Sequence, residues 1–282
     1  MAARFWRQPQ TIRGSYNMTH SNSVLRGMTL ALLSGAAFMM ASGAAKAADL
    51  GGMKDKPVEQ QVIDHAVTVN GGFTSDYIFR GISQSDNDPA VFAGMDLTYR
   101  MFYVGIWGSS VADFTSSSGF EFDVYAGVKR SWNGVDFDLG VIYYSYPGNN
   151  SDVELNYVEF KAAASTKLWR EITLTGTVFY SPNFYAEAGD TWTFEGKVAR
   201  PLPWWGLTLS GAYGFVTNEG TGTFVASFGD DSYSYWNIGV SKIFREHFMV
   251  DLRYWGTNVD IADDYLQGIA DDKVVATLTF NY

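Results

Sequence analysis

The sequence has no cysteine, so neither a disulfide nor a thiolate metal site can contribute to its structure. Only 18% of its 282 residues are charged, below the roughly 25% of ordinary soluble domains. Histidine is nearly absent, at three residues. Beyond residue 47 the chain has no long apolar run. That excludes a helical membrane protein, whose spans need about 20 apolar residues each. It does not exclude a membrane β-barrel, because alternation along a strand hides the lipid face from a sliding average.

Bases are scarce too. Arg26 precedes an apolar segment from Met28 to Ala45 that runs into Ala45-Lys46-Ala47, the layout of a secretory signal peptide cleaved after Ala47. Met18 is an alternative start. Residues 48–66 are polar, carry Pro57 and show no clean period, which suits a periplasmic tail. Removing residues 1–47 leaves 15 of the 20 bases against all 30 acids, a formal charge of −15. Nucleic acid, which needs basic patches, is not an expected partner.

What is present is aromatic: 20 Phe, 17 Tyr and 9 Trp, with 29 Gly beside them. The last stretch, Lys273–Tyr282, sets the pattern. Val274, Ala276, Leu278, Phe280 and Tyr282 are apolar and alternate with Lys273, Val275, Thr277, Thr279 and Asn281, the period of a strand with one apolar face. A closed barrel accommodates a terminal strand of this kind, because it pairs with the first strand and leaves no edge.

Similar segments of about ten residues run back to Val67. The predicted strands are Val67–Tyr77, Val91–Arg100, Tyr103–Ala112, Phe120–Trp132, Val135–Tyr146, Tyr157–Leu168, Ile172–Ser181, Thr191–Arg200, Leu207–Val216, Tyr233–Phe244, Phe248–Thr257 and Lys273–Tyr282. Connections alternate strictly between long and short. Asn133-Gly134 is the sharpest short one, since a type I′ hairpin needs positive φ at both central residues. The fold class is therefore all-β: an up-and-down antiparallel transmembrane barrel of about twelve strands at residues 67–282, with short periplasmic turns and long outer loops.

A charge on a lipid face costs about 2–4 kcal/mol at the midplane, so the charged face of each strand points inward. The candidate pore-lining residues are Asp96, Arg100, Glu121, Asp123, Lys129, Asp136, Asp138, Glu159, Lys161, Glu195, Lys197, Asp251 and Arg253. Glu159/Lys161 and Asp251/Arg253, each two apart, are candidate ion pairs that either plug the lumen or bear its field. Tyr103–Ala112 does not disclose which face is outward. Trp132, Trp169, Trp192, Trp204, Tyr143 and Phe244 fall near strand ends, where interfacial girdles belong. Gly127, Gly140, Gly176 and Gly211 are expected to serve curvature rather than a ligand.

The stretch Thr74-Ser75-Asp76-Tyr77-Ile78-Phe79-Arg80-Gly81-Ile82-Ser83-Gln84-Ser85, with Pro89-Ala90-Val91 and Tyr103-Val104-Gly105-Ile106-Trp107-Gly108-Ser109, resembles the opening of the proteobacterial TorF-type porin family. The match covers about forty residues and departs from the family pattern at Phe92 and at Tyr99-Arg100-Met101. The final strand ending in Tyr282 is also similar to the signal that barrel-insertion machinery reads in outer-membrane proteins. The resemblance implies an outer-membrane pore and supplies no substrate. It singles out Asp76, Tyr77, Phe79, Arg80 and Gly81 in the first long loop, with Arg80 either folded inward or facing solvent.

Half of the acids lie in the long connections against one base, Arg80, and they include Asp230, Asp231, Asp260, Asp263, Asp264, Asp271 and Asp272. An acidic mouth concentrates cations. The same acids also suit hydration, or divalent cations shared with lipopolysaccharide phosphates. Catalysis lacks a base: His20 lies in the signal peptide, His65 in the tail and His247 in a short turn, so Ser83, Ser85, Ser109 and Ser110 have no histidine in reach. No enzyme activity, cofactor or metal is expected. The expected function is a passive outer-membrane pore for small hydrophilic solutes or cations, and the alternative is a non-conducting structural or adhesive barrel.

Overall fold

The computed structural model describes residues 65–112, 117, 119–149, 154–219, 222–259 and 268–282. The signal-peptide assignment and most of the tail fall outside them. Twelve strands close an antiparallel barrel: β1 (His65–Thr74), β4 (Ala90–Tyr99), β5 (Phe102–Ser110), β6 (Phe120–Trp132), β7 (Val135–Ser145), β8 (Tyr157–Lys167), β9 (Thr173–Ser181), β10 (Thr191–Pro201), β11 (Leu207–Asn218), β12 (Ser232–Phe244), β13 (Phe248–Thr257) and β14 (Lys273–Asn281). β2 (Ile78–Phe79) and β3 (Ile82–Ser83) form a separate small hairpin, and α1 (Gly222–Phe228) lies between β11 and β12.

Each strand pairs with its neighbours in sequence, and the ring closes where β1 meets β14, from Asn70 opposite Asn281 to Thr74 opposite Thr277. Val69 and Tyr282 then exchange both backbone hydrogen bonds, at 2.8 and 2.9 Å, so the terminal aromatic completes the seam. Closure leaves no unpaired edge.

Twelve strands were expected, and two spans, Phe120–Trp132 and Phe248–Thr257, have the expected bounds. The largest difference is at the start. β1 begins at His65 and ends at Thr74 rather than running from Val67 to Tyr77. Tyr77 instead belongs to a loop that turns into the barrel.

Alternation assigns the two faces. Val67, Phe73, Met95, Leu97, Leu139, Phe160, Ile238 and Leu252 are exposed outward, while Glu121, Asp123, Glu159, Asp251 and Arg253 are buried inward. β5, undecided from sequence, turns Phe102, Val104 and Ile106 outward and Tyr103 and Ser109 inward. Trp132, Trp169, Trp204 and Trp205 stand exposed at three consecutive short turns, as an interfacial girdle requires. Asn133 and Gly134 both have positive φ, 50° and 79°, as a type I′ turn demands.

The inner wall is braced by a repeated arrangement of tyrosine, glycine and acid. Asp96, Gly105 and Tyr125 lie in one register row across β4, β5 and β6, and the Tyr125 hydroxyl donates to Asp96 Oδ1 at 2.7 Å. Glu195, Gly214 and Tyr235 repeat it across β10, β11 and β12 at 2.8 Å. Tyr103 crosses Gly127 to reach Asp138 at 2.8 Å. The ring must lie flat across the intervening strand, so that position admits no Cβ. One on Gly105 would sit 2.3 Å from the Tyr125 ring.

Gly105→Ala is therefore expected to lose about 1–3 kcal/mol of unfolding free energy, the range for overpacking. Gly176→Ala, where a Cβ meets nothing within 4 Å, should be neutral. Urea unfolding in micelles, followed by tryptophan fluorescence, checks both, and equal effects would refute the brace.

Candidate functional site

The lumen is the site, and the first long loop fills its long-loop half. The segment from Asp76 to Ser85 is buried throughout. Its local fold follows from its polar residues. Asp76 Oδ1 accepts from Ser83 Oγ at 2.5 Å and Ser85 Oγ at 3.0 Å, the Tyr77 amide donates to Ser85 Oγ at 2.9 Å, and the Gln84 amide donates to the Tyr77 carbonyl at 2.6 Å. These bonds fold the loop back on itself, and the β2–β3 hairpin projects from the fold.

Arg80 and Gly81 form its two-residue turn, with φ of 47° and 88°. Gly81 is needed twice over, because a Cβ there would also lie 2.8 Å from Tyr235 Cβ. Arg80 has no such freedom, and a non-glycine residue in this region costs about 1–3 kcal/mol. What offsets the strain is a bidentate ion pair. Nη1 donates to Glu159 Oε1 at 2.8 Å and Nη2 to Oε2 at 2.9 Å, with side chains 4% and 1% exposed. Tyr144 adds a third donor to Glu159 Oε2 at 3.0 Å. The guanidinium also lies over the rings of Phe79 (4.6 Å) and Phe179 (5.0 Å), where a cation gains from the π face. Burial alone would lower the Arg80 pKa, but Glu159 beside it carries the group above its ordinary value.

Other loops pack onto the plug. Phe184 and Tyr185, Phe224 and Phe228 of α1, and Ile269 join Ile78, Phe79 and Ile82 in one buried cluster with wall residues Tyr144, Tyr157 and Tyr235. Lys273 ties the loop to the start of β14. Its Nζ donates to Asn87 Oδ1 and lies 3.2 Å from the Ile269 carbonyl and 3.5 Å from Asp76 Oδ2. Burial raises the Asp76 pKa, and the Ser83 hydrogen bond and the Lys273 charge offset part of that rise.

The short-turn half is wetter. Lys161 Nζ donates to Asp138 Oδ2 at 2.8 Å, and Lys129, 41% exposed, stands 3.9 Å from the same oxygen. Arg253 grips Asp251 through Nε at 3.1 Å and Nη2 at 2.9 Å, and also donates to Asn237 and Ser210. Glu195 and Lys197 face inward, half-buried, and Asp136 sits at the exposed rim with Ser131 donating to it.

Two sequence assignments change. Arg100 is not on the wall. It occupies the turn after β4 with φ 54°, its guanidinium 5.2 Å from the ring of outward-facing Tyr99, because β4 ends one residue before it. Glu159 and Lys161 do not pair either, since two residues apart on a strand leaves each nearer to a partner elsewhere: Glu159 to Arg80 and Lys161 to Asp138. Asp251 and Arg253 do pair. Asp230, Asp231, Asp271 and Asp272 are exposed at the long-loop end rather than in the lumen. Asp260, Asp263 and Asp264 lie outside the described residues. His247 is in a short turn, its Nδ1 2.9 Å from the Asn281 carbonyl.

A family model described as a bacterial protein of unknown function (Gcw_chp) matches residues 60–282. No curated protein matches the chain. Among solved structures, the chain is similar to the NanC porin, with a TM-score of 0.52 at 6% identity over 76% of this chain and 98% of that one. It is also similar to the KdgM porin (0.49, 9% identity, 77% and 98%) and to the outer membrane protein OprD from Pseudomonas aeruginosa (0.39, 11% identity, 77% and 64%). At such identities the likeness is one of fold: a closed twelve-strand barrel like those of outer-membrane porins.

Removing one partner of a buried pair leaves a desolvated charge behind. Glu159→Leu is expected to cost about 3–5 kcal/mol, and the Arg80→Met/Glu159→Leu double variant to regain much of it. Urea midpoints of the wild type, Glu159→Leu, Arg80→Met and the double variant test this, and additive losses would show that Arg80 and Glu159 act independently.

Proposed function

The chain belongs to the bacterial family of unknown function Gcw_chp, and we propose that it is an outer-membrane channel of the porin type. The observation that carries this is the inversion of an ordinary globule. Apolar side chains cover the outside of the barrel, while ionisable ones line the inside. A soluble monomer rarely exposes a contiguous apolar patch above a few hundred Å², whereas a hydrocarbon surround requires one. The likeness of the 74–85 motif to TorF-type porins points the same way.

The channel is passive and narrow, for small hydrophilic solutes or cations, and its bore is set by the first loop. Eight-stranded barrels are filled by wall side chains and 16-stranded ones are open. At twelve strands the loop decides. Selectivity resides where the dielectric is lowest, at Arg80, Glu159, Glu121 and Asp123, with the wetter Asp138, Lys161 and Lys129 and the buried Asp251–Arg253 pair forming a mixed-charge vestibule on the periplasmic side. The exposed acids Asp230, Asp231, Asp271 and Asp272 raise the local cation concentration outside. Outer-membrane lipid, lipopolysaccharide through divalent cations, and the insertion machinery through the strand ending at Tyr282 are the partners this reading implies. It involves no catalysis.

A second reading, a non-conducting structural barrel, is favoured by the completeness of the plug around Ile82 and Phe224. Planar-bilayer recording of refolded residues 48–282 separates the two. The channel reading expects small discrete conductance that Arg80→Ala increases severalfold, with cation selectivity weakened by Asp271→Asn/Asp272→Asn. A folded barrel silent in both wild type and Arg80→Ala would establish the structural reading instead.

A further inference from the structure

Glu121 and Asp123 stand two apart on β6, so both enter the lumen from one face, and both are fully buried. Tyr77 of the first loop donates to Glu121 Oε1 at 3.3 Å. Asp123 is different, because neither of its oxygens meets a donor among the described residues. Its side chain and that of Glu121 leave the same face of β6 at adjacent inward positions, which sets the two buried carboxyls beside each other. Two ionised carboxylates present acceptors only, so this contact becomes a hydrogen bond when one of them carries a proton. Like charges side by side in a desolvated site do not both persist.

The bases of the plug do not relieve the pair. Arg80 commits both arms of its fork to Glu159, and Lys273 pairs with Asp76. A second observation points into the same place. The Tyr146 hydroxyl, just beyond β7, is buried and also meets no partner among the described residues, and it feels the charge of both Glu121 and Asp123. The other ionisable neighbours are Tyr125 on β6 itself, Tyr144 on β7, Tyr157 and Glu159 on β8, and Tyr77 and Arg80 from the loop. Apart from Arg80 they are neutral phenols or another acid.

We propose that Glu121 and Asp123 form a proton-binding site whose single shared proton keeps the first-loop plug seated in the lumen. At neutral pH the proton bridges the two carboxyls, and the site carries one negative charge facing the Tyr77 donor. As pH rises the proton leaves for solvent, and a second charge appears where burial and repulsion both oppose it. Water must then enter. The described loop that reaches the acids from inside the lumen is the one carrying Tyr77, so it is the element that makes way. The plug is thus closed while the proton is bound and loosened when it is lost. Any effect on conduction rests on the channel reading above; the proton site itself does not.

The absence of cysteine makes the test clean. Ile82→Cys places a lone thiol on β3 at a position 1% exposed, and Trp169→Cys in an exposed short turn corrects for the pH dependence of thiol chemistry. In refolded barrels, corrected labelling of Ile82→Cys by a charged maleimide is expected to rise more than about tenfold from mildly acidic to alkaline pH, since an added buried charge is worth several kcal/mol. In an Asp123→Asn background it should stay flat. Infrared difference spectra should show a protonated-carboxyl band in the wild type at neutral pH that disappears on alkaline titration and is absent from Asp123→Asn. Glu121→Gln provides the same comparison if Asp123→Asn fails to fold. Equal labelling responses in the two backgrounds, or a wild type without the band, would overturn the proposal. Both signatures in a barrel that conducts at no pH would support the proton site and sink the channel reading.

Discussion

A polar inner wall needs something polar to face, and in this barrel the bidentate contact between Arg80 and Glu159 supplies it. Wall side chains of a twelve-strand ring do not meet across the centre as they do with eight. Glu159 would otherwise be solvated by lumenal water. The first loop replaces that water with a guanidinium, and two charge-assisted hydrogen bonds in a site almost without exposure are strong enough to hold Arg80 at a positive φ. The apolar cluster of Ile78, Phe79, Ile82, Phe184 and Phe224 can then close over the pair, because the charge beneath it is already compensated. Reversing that order would bury a lone carboxylate under hydrocarbon, which is far costlier than leaving the lumen wet.

The result is a gradient along the barrel axis. Towards the long loops the interior is dry and Arg80 and Glu159 are paired tightly; towards the short turns Lys129 and Lys161 share Asp138, a more loosely shielded group. Coulomb interactions strengthen as the effective dielectric falls, so the dry end dominates the field a solute would meet. In the proposed channel this would place discrimination in the interior rather than at the exposed loop acids. Asp271 and Asp272 act through water and salt, whose screening reaches about 8 Å at physiological ionic strength, whereas the interior charges have little between them.

The barrel was legible because membrane strands carry a redundant signal. Each of the twelve repeats a period of two, and a one-residue slip would turn Phe120, Val124 and Leu252 inward and the charged residues outward. Asn133-Gly134 fixed one hairpin by its backbone requirement alone. The plug was not legible, because nothing periodic marks it. Tyr77, Ile78 and Phe79 continued the apolar character of β1, and for Arg80 the sequence left inward folding and solvent exposure both open. Its partner lies 79 residues away, a separation that strand periodicity does not encode. The same limit explains Glu159 and Lys161: proximity along one strand suggested a pair, whereas neighbouring strands and the inserted loop offered closer ones. The Tyr–Gly–acid rows fall between these cases, since each residue was visible but their alignment needed the register.

The bonds of the 74–88 segment divide into two sets with different consequences. One set is internal: Thr74 to the Asp76 carbonyl, Ser83 and Ser85 to Asp76, the Gln84 amide to Tyr77, and the Asn87 amide to Ser83 Oγ. The other joins the loop to its surroundings: Arg80 to Glu159, Tyr77 to Glu121, Lys273 to Asp76, the Ser83 amide to the Ile269 carbonyl and the Ala112 amide to the Gln84 carbonyl. The internal bonds are short, close in sequence and indifferent to whether the loop is docked. The external ones hang largely on the acids Glu159, Glu121 and Asp76. A loop built this way keeps its own shape when it undocks, so the entropy of disordering it is not added to the cost of opening. The proposed undocking needs such an internal frame, and the bonds of Ser83 and Ser85 to Asp76 supply it.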